Sequence, residues 1–255
     1  MTAAIQAESL TRAFDGVQAI SNVSLSVAEG SITAVIGPNG AGKTTLFNLL
    51  TNVYPAQSGR TTFLGTDLRG RSPETIAELG LIRTFQTARV LPGMTVLENV
   101  LVGAHRRLRQ GPLAQALRLP AARAEERQLR ARAIRLLELF GLADQAELPA
   151  TSLPGGHQKQ MELARALMAE PQCLLLDEPA AGLNDAETAD LVDLLAAIRE
   201  IGVTILIVEH NMSLVMGIAD QVIVFDAGRV IADGPPEAVS RDAAVLDAYL
   251  GRGPA

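Results

Sequence analysis

The pattern of apolar and polar positions changes along the chain and predicts two kinds of strand. Residues 4–36 alternate polar and apolar side chains, with turn signals at Asp15-Gly16 and Glu29-Gly30. This alternation is typical of short antiparallel strands. Short, mostly apolar runs lie just before Gly37 and at residues 173–176 and 203–208, and residues 81–85 (L-I-R-T-F) are predicted as a further strand. Such runs indicate strands that are buried on both faces, as in a parallel sheet.

Helix signals separate these apolar strands. Ser72 before Pro73 is a favourable helix start, and the pairs Thr95/Glu98 and Asn184/Glu187 have the spacing of capping boxes. Strands that alternate with helices predict an α/β fold with a parallel sheet. We expect a single domain with a core formed by residues 1–86 and 157–255. An inserted α-helical lobe, residues 87–156, carries arginines that a solvated helix face explains.

Composition and charge narrow the class of protein. The 255 residues are 48% hydrophobic and carry a formal charge of −6, which argues against a nucleic-acid partner. Cys173 is the one cysteine and lies in an apolar run, so we interpret it as a buried strand residue in a reducing compartment. No apolar run approaches the ~18 residues that span a bilayer, and the first residues lack the pattern of a secretory signal.

The residues from Gly37 to Thr45 read G-P-N-G-A-G-K-T-T and match the phosphate-binding loop G-x-x-x-x-G-K-[ST]. Glycines allow backbone N–H groups to surround a polyphosphate at a helix start. Lys43 would reach the β- and γ-phosphates, and Thr44 would bind Mg²⁺. A Gly-rich turn is the alternative, but the apolar strand before Gly37 favours nucleotide binding. The predicted nucleotide-binding residues of this loop are Gly37, Pro38, Asn39, Gly40, Ala41, Gly42, Lys43, Thr44 and Thr45.

Acidic residues follow another buried strand. Asp177 ends the run C-L-L-L-D and Glu178 follows it. A strand-end carboxylate can hold Mg²⁺, and the next one can accept a proton from the attacking water; helix caps or salt bridges are the alternative. His210 lies just beyond the next strand, and a lone histidine is often structural. Phe14 has two open interpretations, a core aromatic or a ring that stacks on adenine.

Together these elements resemble the ATP-binding cassette (ABC) family over essentially the whole chain. The resemblance implies a P-loop NTPase (RecA-like) core with an antiparallel β subdomain and an inserted α-helical lobe. It also implies ATP and Mg²⁺ as ligands. Lys43, Gln86, Glu178 and His210 would be catalytic, and Thr44, Gln86 and Asp177 would bind the metal. Phe14 would contact adenine.

The resemblance also assigns Leu153–His157 (L-P-G-G-H) to the position of the family's L-S-G-G-Q signature. In the family, two cassettes close head to tail, and each ATP lies between the phosphate loop of one subunit and the signature of the other. Pro154 replaces a serine and His157 a glutamine, while Gly155 and Gly156 remain. Because proline offers neither a hydroxyl nor an N–H, we expect ATP to be held there with fewer contacts.

Several stretches are similar to the ATPase subunit of branched-chain amino-acid importers, among them residues 83–103 (R-T-F-Q-T-A-R-V…), 178–184 (E-P-A-A-G-L-N) and 209–220. By that resemblance, the partners are a second ATPase subunit, two membrane-spanning permease subunits and, indirectly, an extracytoplasmic binding protein. The location would be the cytoplasmic face of the membrane. ATPases of urea, amide, lipid or export systems remain alternatives, and a soluble non-transport ABC ATPase or a P-loop kinase explains fewer of the motifs.

Overall fold

The computed structural model describes residues 2–84, 89–105, 108, 110, 111, 117 and 119–250, and the chain divides into two compact units. The first unit comprises Met1–Arg83, Gln172–Ala181 and Thr188–Ala255, and the second comprises Thr84–Pro171 and Gly182–Glu187. Within the described ranges, no helix combines the length and the apolar character that crossing a membrane requires.

An antiparallel sheet forms from the alternating N-terminal segment together with residues 58–67. Its strands are β1 (Ala3–Phe14), β2 (Val17–Ala28), β4 (Ser58–Phe63) and β5 (Thr66–Asp67), in the order β2-β1-β4-β5. The β1–β2 turn is made by Asp15 and Gly16, whose φ angles of 47° and 84° suit a two-residue hairpin. The alternation of residues 4–36 therefore predicted β1 and β2 correctly.

The continuous apolar runs form the second sheet of the first unit. Its strands are β3 (Ile32–Ile36), β6 (Leu81–Arg83), β7 (Cys173–Asp177), β8 (Thr204–Val208), β9 (Gln221–Asp226) and β10 (Arg229–Gly234), in the order β10-β9-β3-β8-β7-β6. All neighbours are parallel except β9 and β10. Every residue of β3, β7 and β8 is buried, which explains why these strands lack alternation. Burial also raises the pKa of the Cys173 thiol in β7.

The first unit contains short helices around these sheets. Their bounds are α1 (Lys43–Leu50), α2 (Pro73–Glu78), α7 (Met212–Ile218), α8 (Pro236–Val239) and α9 (Ala243–Leu250). Leu46, Phe47 and Leu50 of α1 belong to one hydrophobic cluster with side chains of both sheets, such as Ile5 and Leu175. This cluster fixes α1 at the carboxyl end of β3. The helix α7 was missing from the sequence prediction; Asn211 caps it by accepting a hydrogen bond from Leu214 N (3.1 Å).

The second unit is helical. It contains α3 (Val96–Val102), α4 (Pro120–Leu139) and α5 (Gly155–Met168), and α6 (Asp185–Glu200) begins in it. The predicted capping box at Thr95 and Glu98 is present, with hydrogen bonds of 2.8 and 3.2 Å. A Cβ at Gly103 would lie 2.0 Å from the Arg165 carbonyl oxygen, so glycine allows α3 and α5 to pack closely. The unit extends beyond the predicted lobe of residues 87–156 because α5 packs against α3 and α4.

Candidate functional site

The loop between β3 and α1 has a backbone that requires glycine. Gly37, Gly40 and Gly42 have φ angles of 149°, 81° and 105°. A Cβ on Gly37 would lie 2.1 Å from the Phe225 carbonyl oxygen, and one on Gly42 would lie 2.6 Å from the Ala19 carbonyl oxygen. Both glycines are therefore needed for space as well as for backbone angle. The first turn of α1 has no side-chain cap, so its N–H groups can bind an anion.

Lys43 is held within this loop. Its Nζ donates hydrogen bonds to the carbonyl oxygens of Gly37 (2.7 Å) and Pro38 (3.1 Å), and the side chain is buried. Burial lowers the pKa of Lys43, and the negative charges of Glu178 and Asp177 oppose that shift. The ammonium group is thus positioned beside the loop before any ligand arrives.

A cavity of about 220 Å³ lies against the loop and is lined by residues 39–45, Ala19 and Glu178. It brings the predicted phosphate-binding residues together with the predicted catalytic carboxylate. A larger cavity of about 530 Å³ is lined by residues such as Leu49, Arg60 and Pro73. That second cavity contains none of the predicted site residues.

Asp177 is anchored by a residue that sequence reasoning missed. The Asp177 side chain is only 6% exposed and pairs through Oδ2 with Arg83 Nη2 at 3.0 Å. Arg83 Nη1 also donates to Asn48 Oδ1 of α1 at 2.6 Å, and its guanidinium lies 5.5 Å from the centre of the Phe47 ring. The carboxylate is therefore fixed relative to the helix that follows the phosphate loop. An arginine that ends an apolar strand (L-I-R) was the available signal.

Glu178 lies one residue beyond the strand in an unusual conformation. Its φ of 48° is rare for a residue with a side chain, and such strain is concentrated at functional sites. The Glu178 N–H donates to the Val208 carbonyl oxygen at 2.9 Å, which holds the residue against the end of β8. Its Oε1 lies 4.0 Å from His210 Nδ1. Glu178 and His210 are thus neighbours but are too far apart for a direct hydrogen bond.

Glu209 is a second residue that sequence reasoning missed. It follows β8 directly and is fully buried. Its Oε1 accepts from Ala180 N (2.7 Å), and its Oε2 accepts from His210 N (3.0 Å) and Asn211 N (3.3 Å). A charged residue directly after a buried strand was a signal that the sequence contained. Its hydrogen bond to Ala180, 29 positions away, could not be predicted from the sequence.

The predicted signature begins helix α5 of the second unit. Pro154 is the N-cap residue and supplies no side-chain hydrogen bond. A Cβ on Gly156 would lie 2.5 Å from Glu187 Oε1, and Glu187 itself forms the predicted capping box with Asn184 (2.9 and 3.0 Å). His157 Nδ1 lies 3.1 Å from Gln145 Oε1. The N–H groups of this helix start are consequently left without a side-chain cap.

Phe14 and Gln86 complete the predicted set. Phe14 is half-buried, in contrast to the fully buried Phe47 and Phe63. Its ring meets the Tyr54 ring edge-on at 5.4 Å, and the Arg12 guanidinium lies 4.7 Å from its centre. Gln86 lies outside the described residues.

The first unit alone therefore combines a phosphate-binding loop, a cationic side chain and strand-end carboxylates around one cavity. This combination defines a nucleotide-binding ATPase of the P-loop class. The chain belongs to the ABC transporter family, whose model, described as "ABC transporter", matches residues 20–181. A second family model, "Branched-chain amino acid ATP-binding cassette transporter", matches residues 229–255. The predicted family, fold class and ATPase activity are confirmed.

Curated relatives align over nearly the full length. The chain is 44% identical to the high-affinity branched-chain amino acid transport ATP-binding protein LivG of Salmonella typhimurium, over 93% of this chain and 94% of the relative. It is 43% identical to the corresponding protein BraF of Pseudomonas aeruginosa, over 97% of both. A crystal structure of the ADP conformation of MJ1267, an ATP-binding cassette of an ABC transporter, superposes with a TM-score of 0.86. The two sequences are 33% identical, and the superposition covers 98% of this chain and 100% of the MJ1267 chain.

Proposed function

We propose that this chain is the ATP-hydrolysing subunit of an importer for branched-chain or related amino acids. The observation that carries the proposal is the sequence identity of 43–44% to LivG and BraF over 93% or more of the chain. Both relatives are named as transport ATP-binding proteins for branched-chain amino acids. The match of residues 229–255 to a family model of the same description supports the same solute class.

Nucleotide binding is assigned to the phosphate loop, with Mg²⁺ beside it. The glycine backbone and the position of Lys43 support contacts to the phosphates. Thr44 lies in the first turn of α1, and Asp177 is oriented by Arg83. A hydroxyl and a carboxylate, the hard oxygen donors that Mg²⁺ prefers, would hold the ion together with Gln86. Bound Mg²⁺ would neutralise charge that develops on the phosphates. Phe14 would stack on adenine.

Hydrolysis is assigned to Glu178 and His210. Glu178 lines the cavity beside the loop, so its carboxylate is close enough to orient a water molecule and accept its proton. His210 lies 4.0 Å from Glu178 and would contact the γ-phosphate. The left-handed backbone at Glu178 supports this assignment because strain there would be retained for a functional reason.

We further propose that the ATP site is completed by a second ATPase subunit. The uncapped start of α5, with Pro154, Gly155, Gly156 and His157, would meet the partner subunit's nucleotide. Two membrane-spanning permease subunits and, indirectly, an extracytoplasmic binding protein would complete the importer. This chain would then act at the cytoplasmic face of the membrane, with no nucleic-acid partner. The helical unit after Gln86 would transmit movement to the membrane subunits.

The test uses a Salmonella strain that lacks LivG, complemented with this chain. Wild type should restore leucine uptake, and Glu178→Gln should abolish it while the purified variant still binds ATP and hydrolyses it about 10²-fold more slowly or worse. Glu29→Gln, an exposed carboxylate in a turn, is the matched control and should behave as wild type. Near-normal hydrolysis by Glu178→Gln would remove that residue from its role. Normal ATPase activity without uptake of leucine, isoleucine or valine would reject the solute class.

A further inference from the structure

Glu209 lies between two segments that carry the proposed catalytic residues. Its carboxylate is fully buried at the end of β8. One oxygen accepts from the backbone of Ala180, two residues beyond Glu178, at 2.7 Å. The other accepts from the backbone of His210 (3.0 Å) and Asn211 (3.3 Å). One side chain therefore joins the loop after β7 to the loop after β8.

The chemistry of these bonds requires a carboxylate. Both oxygens face N–H donors, and only an ionised carboxylate accepts at both positions without presenting a donor of its own. Hydrogen bonds from backbone N–H groups to a charged acceptor are shorter and stronger than neutral ones. They also compensate for the cost of burying the charge. The side chain is thus held in one orientation, and it holds the two loops in return.

The neighbouring hydrogen bonds extend this arrangement to both proposed catalytic residues. Ala181 N donates to the Glu178 carbonyl oxygen (3.1 Å), and Glu178 N donates to the Val208 carbonyl oxygen (2.9 Å). On the other side, Asn211 caps α7, so the backbone on both sides of His210 is fixed. A shift of the Glu209 carboxylate would therefore change the separation of Glu178 and His210.

We propose that Glu209 is a positioning residue for ATP hydrolysis. Its carboxylate fixes the positions of Glu178 and His210 relative to each other through the three backbone N–H groups that it binds. The proposal rests on the roles proposed above for Glu178 and His210. Glu209 contacts neither nucleotide nor water in this scheme. Its own backbone N–H donates to the Val35 carbonyl oxygen at 3.3 Å, a bond that side-chain substitution leaves in place.

The first experiment compares turnover with nucleotide affinity for Glu209→Gln in the full-length chain, purified with its partner subunits. An amide presents N–H₂ to one set of backbone donors, so one anchor must break. We expect kcat to fall about tenfold or more, because a small misplacement of catalytic groups is costly, while the Kd for ATP stays within about twofold. Glu209→Asp keeps both acceptor oxygens and should lie between wild type and Glu209→Gln.

Asp220→Asn is the matched control for a purely structural carboxylate. Asp220 accepts from Ile32 N at 2.9 Å, at the start of β3. This contact lies at the amino end of the parallel strands, whereas Glu209 follows the carboxyl end of β8. This variant should lose stability but keep kcat within about twofold. If Asp220→Asn lowers kcat as much as Glu209→Gln, the effect is general loosening of the sheet and the proposal is rejected.

A double-mutant cycle with His210→Ala gives the decisive result. If Glu209 acts by positioning His210 relative to Glu178, Glu209→Gln should cost less than about threefold in the His210→Ala background. If the two substitutions lower kcat independently of each other, the inference is overturned. A wild-type rate for His210→Ala alone would instead reject the proposed role of His210, which separates the two failures. If Glu209→Gln does not fold, Glu209→Asp replaces it in the same cycle.

Discussion

In the part of the chain that the structure describes, two helices begin on glycine-rich segments without a side-chain cap, and they do so in different ways. These are α1, which follows the phosphate loop in the first unit, and α5, which follows Pro154 in the second. In contrast, α2, α3 and α7 are capped by the side chains of Ser72, Thr95 and Asn211. An uncapped start leaves N–H groups for an outside anion. Both starts therefore have the property that a phosphate-binding site needs.

The difference between the two starts lies in what surrounds them. The start of α1 is enclosed: Gly42 is in the left-handed region against the Ala19 carbonyl, and Lys43 adds a buried positive charge. The start of α5 is open, since no described atom lies within 4 Å of a Cβ on Gly155, and only the Glu187 side chain, held in its capping box with Asn184, approaches Gly156. One start is a nearly complete anion site, and the other supplies N–H groups alone. This is the division expected of a site shared between two subunits.

Gly42→Ala should disrupt the enclosed start of α1, and its effect on ATP affinity is the largest that we expect. The new Cβ would meet the Ala19 carbonyl oxygen at 2.6 Å, and the φ of 105° is strained for alanine. The loop must shift, so we expect ATP affinity to fall about 100-fold, measured by calorimetric titration. Gly40→Ala is the matched control, since its φ of 81° is also positive but its Cβ meets no atom within 4 Å. Equal losses in both variants would show that strain, not enclosure, controls the loop.

Gly156→Ala tests how open the start of α5 is. Its effect on the free energy of unfolding should have opposite signs in the wild-type and Glu187→Ala backgrounds. In wild type, the Cβ must displace Glu187 Oε1 at 2.5 Å, which costs about 1–3 kcal/mol and outweighs alanine's helix preference. In a Glu187→Ala background the obstruction is gone, so the same substitution should stabilise the protein by about 0.5–1 kcal/mol. Urea unfolding measures both. A destabilisation that persists in the double variant would place the obstruction elsewhere.

Pro154→Ser gives the smallest expected effect. Pro154 has φ −56° and ψ 156°, which a serine N-cap adopts readily. A new cap contributes about 1 kcal/mol, while loss of proline costs about 0.4–1 kcal/mol, so the free energy of unfolding should change little. We expect steady-state ATPase activity to stay the same or rise. A drop of about tenfold or more, roughly 1.4 kcal/mol of barrier, would show that Pro154 is tuned for this site.

Local patterns in the sequence were enough to predict most of the fold. The apolar runs gave β3, β7 and β8, and the reciprocal pairs Thr95/Glu98 and Asn184/Glu187 gave helix starts, because each depends on residues within one element. The helical unit of the structure runs on to Pro171, beyond the predicted lobe of residues 87–156. Whether α5 belongs with residues before or after it depends on packing against α3 and α4, which periodicity does not encode.

Prediction of the site residues from the sequence is limited in the same way, and more strongly. The phosphate loop and the Asp177-Glu178 pair have fixed spacing and could be found from the sequence. Arg83 binds Asp177 across 94 positions, and Glu209 binds Ala180 across 29. Because such pairs form only when parallel strands place their carboxyl ends at one edge, they become visible once the strand order is known. Residues that orient a site are therefore harder to predict than residues that contact its ligand.

Cys173 has a practical consequence for experiments on this protein. It is the one cysteine of the chain and is fully buried in β7, where burial also raises the pKa of its thiol. Alkylating reagents need an exposed thiolate, so labelling of Cys173 would report only molecules in which the central sheet has opened. The native chain thus behaves as if it were cysteine-free, and a fluorophore attached to a cysteine introduced on the surface would mark that position alone.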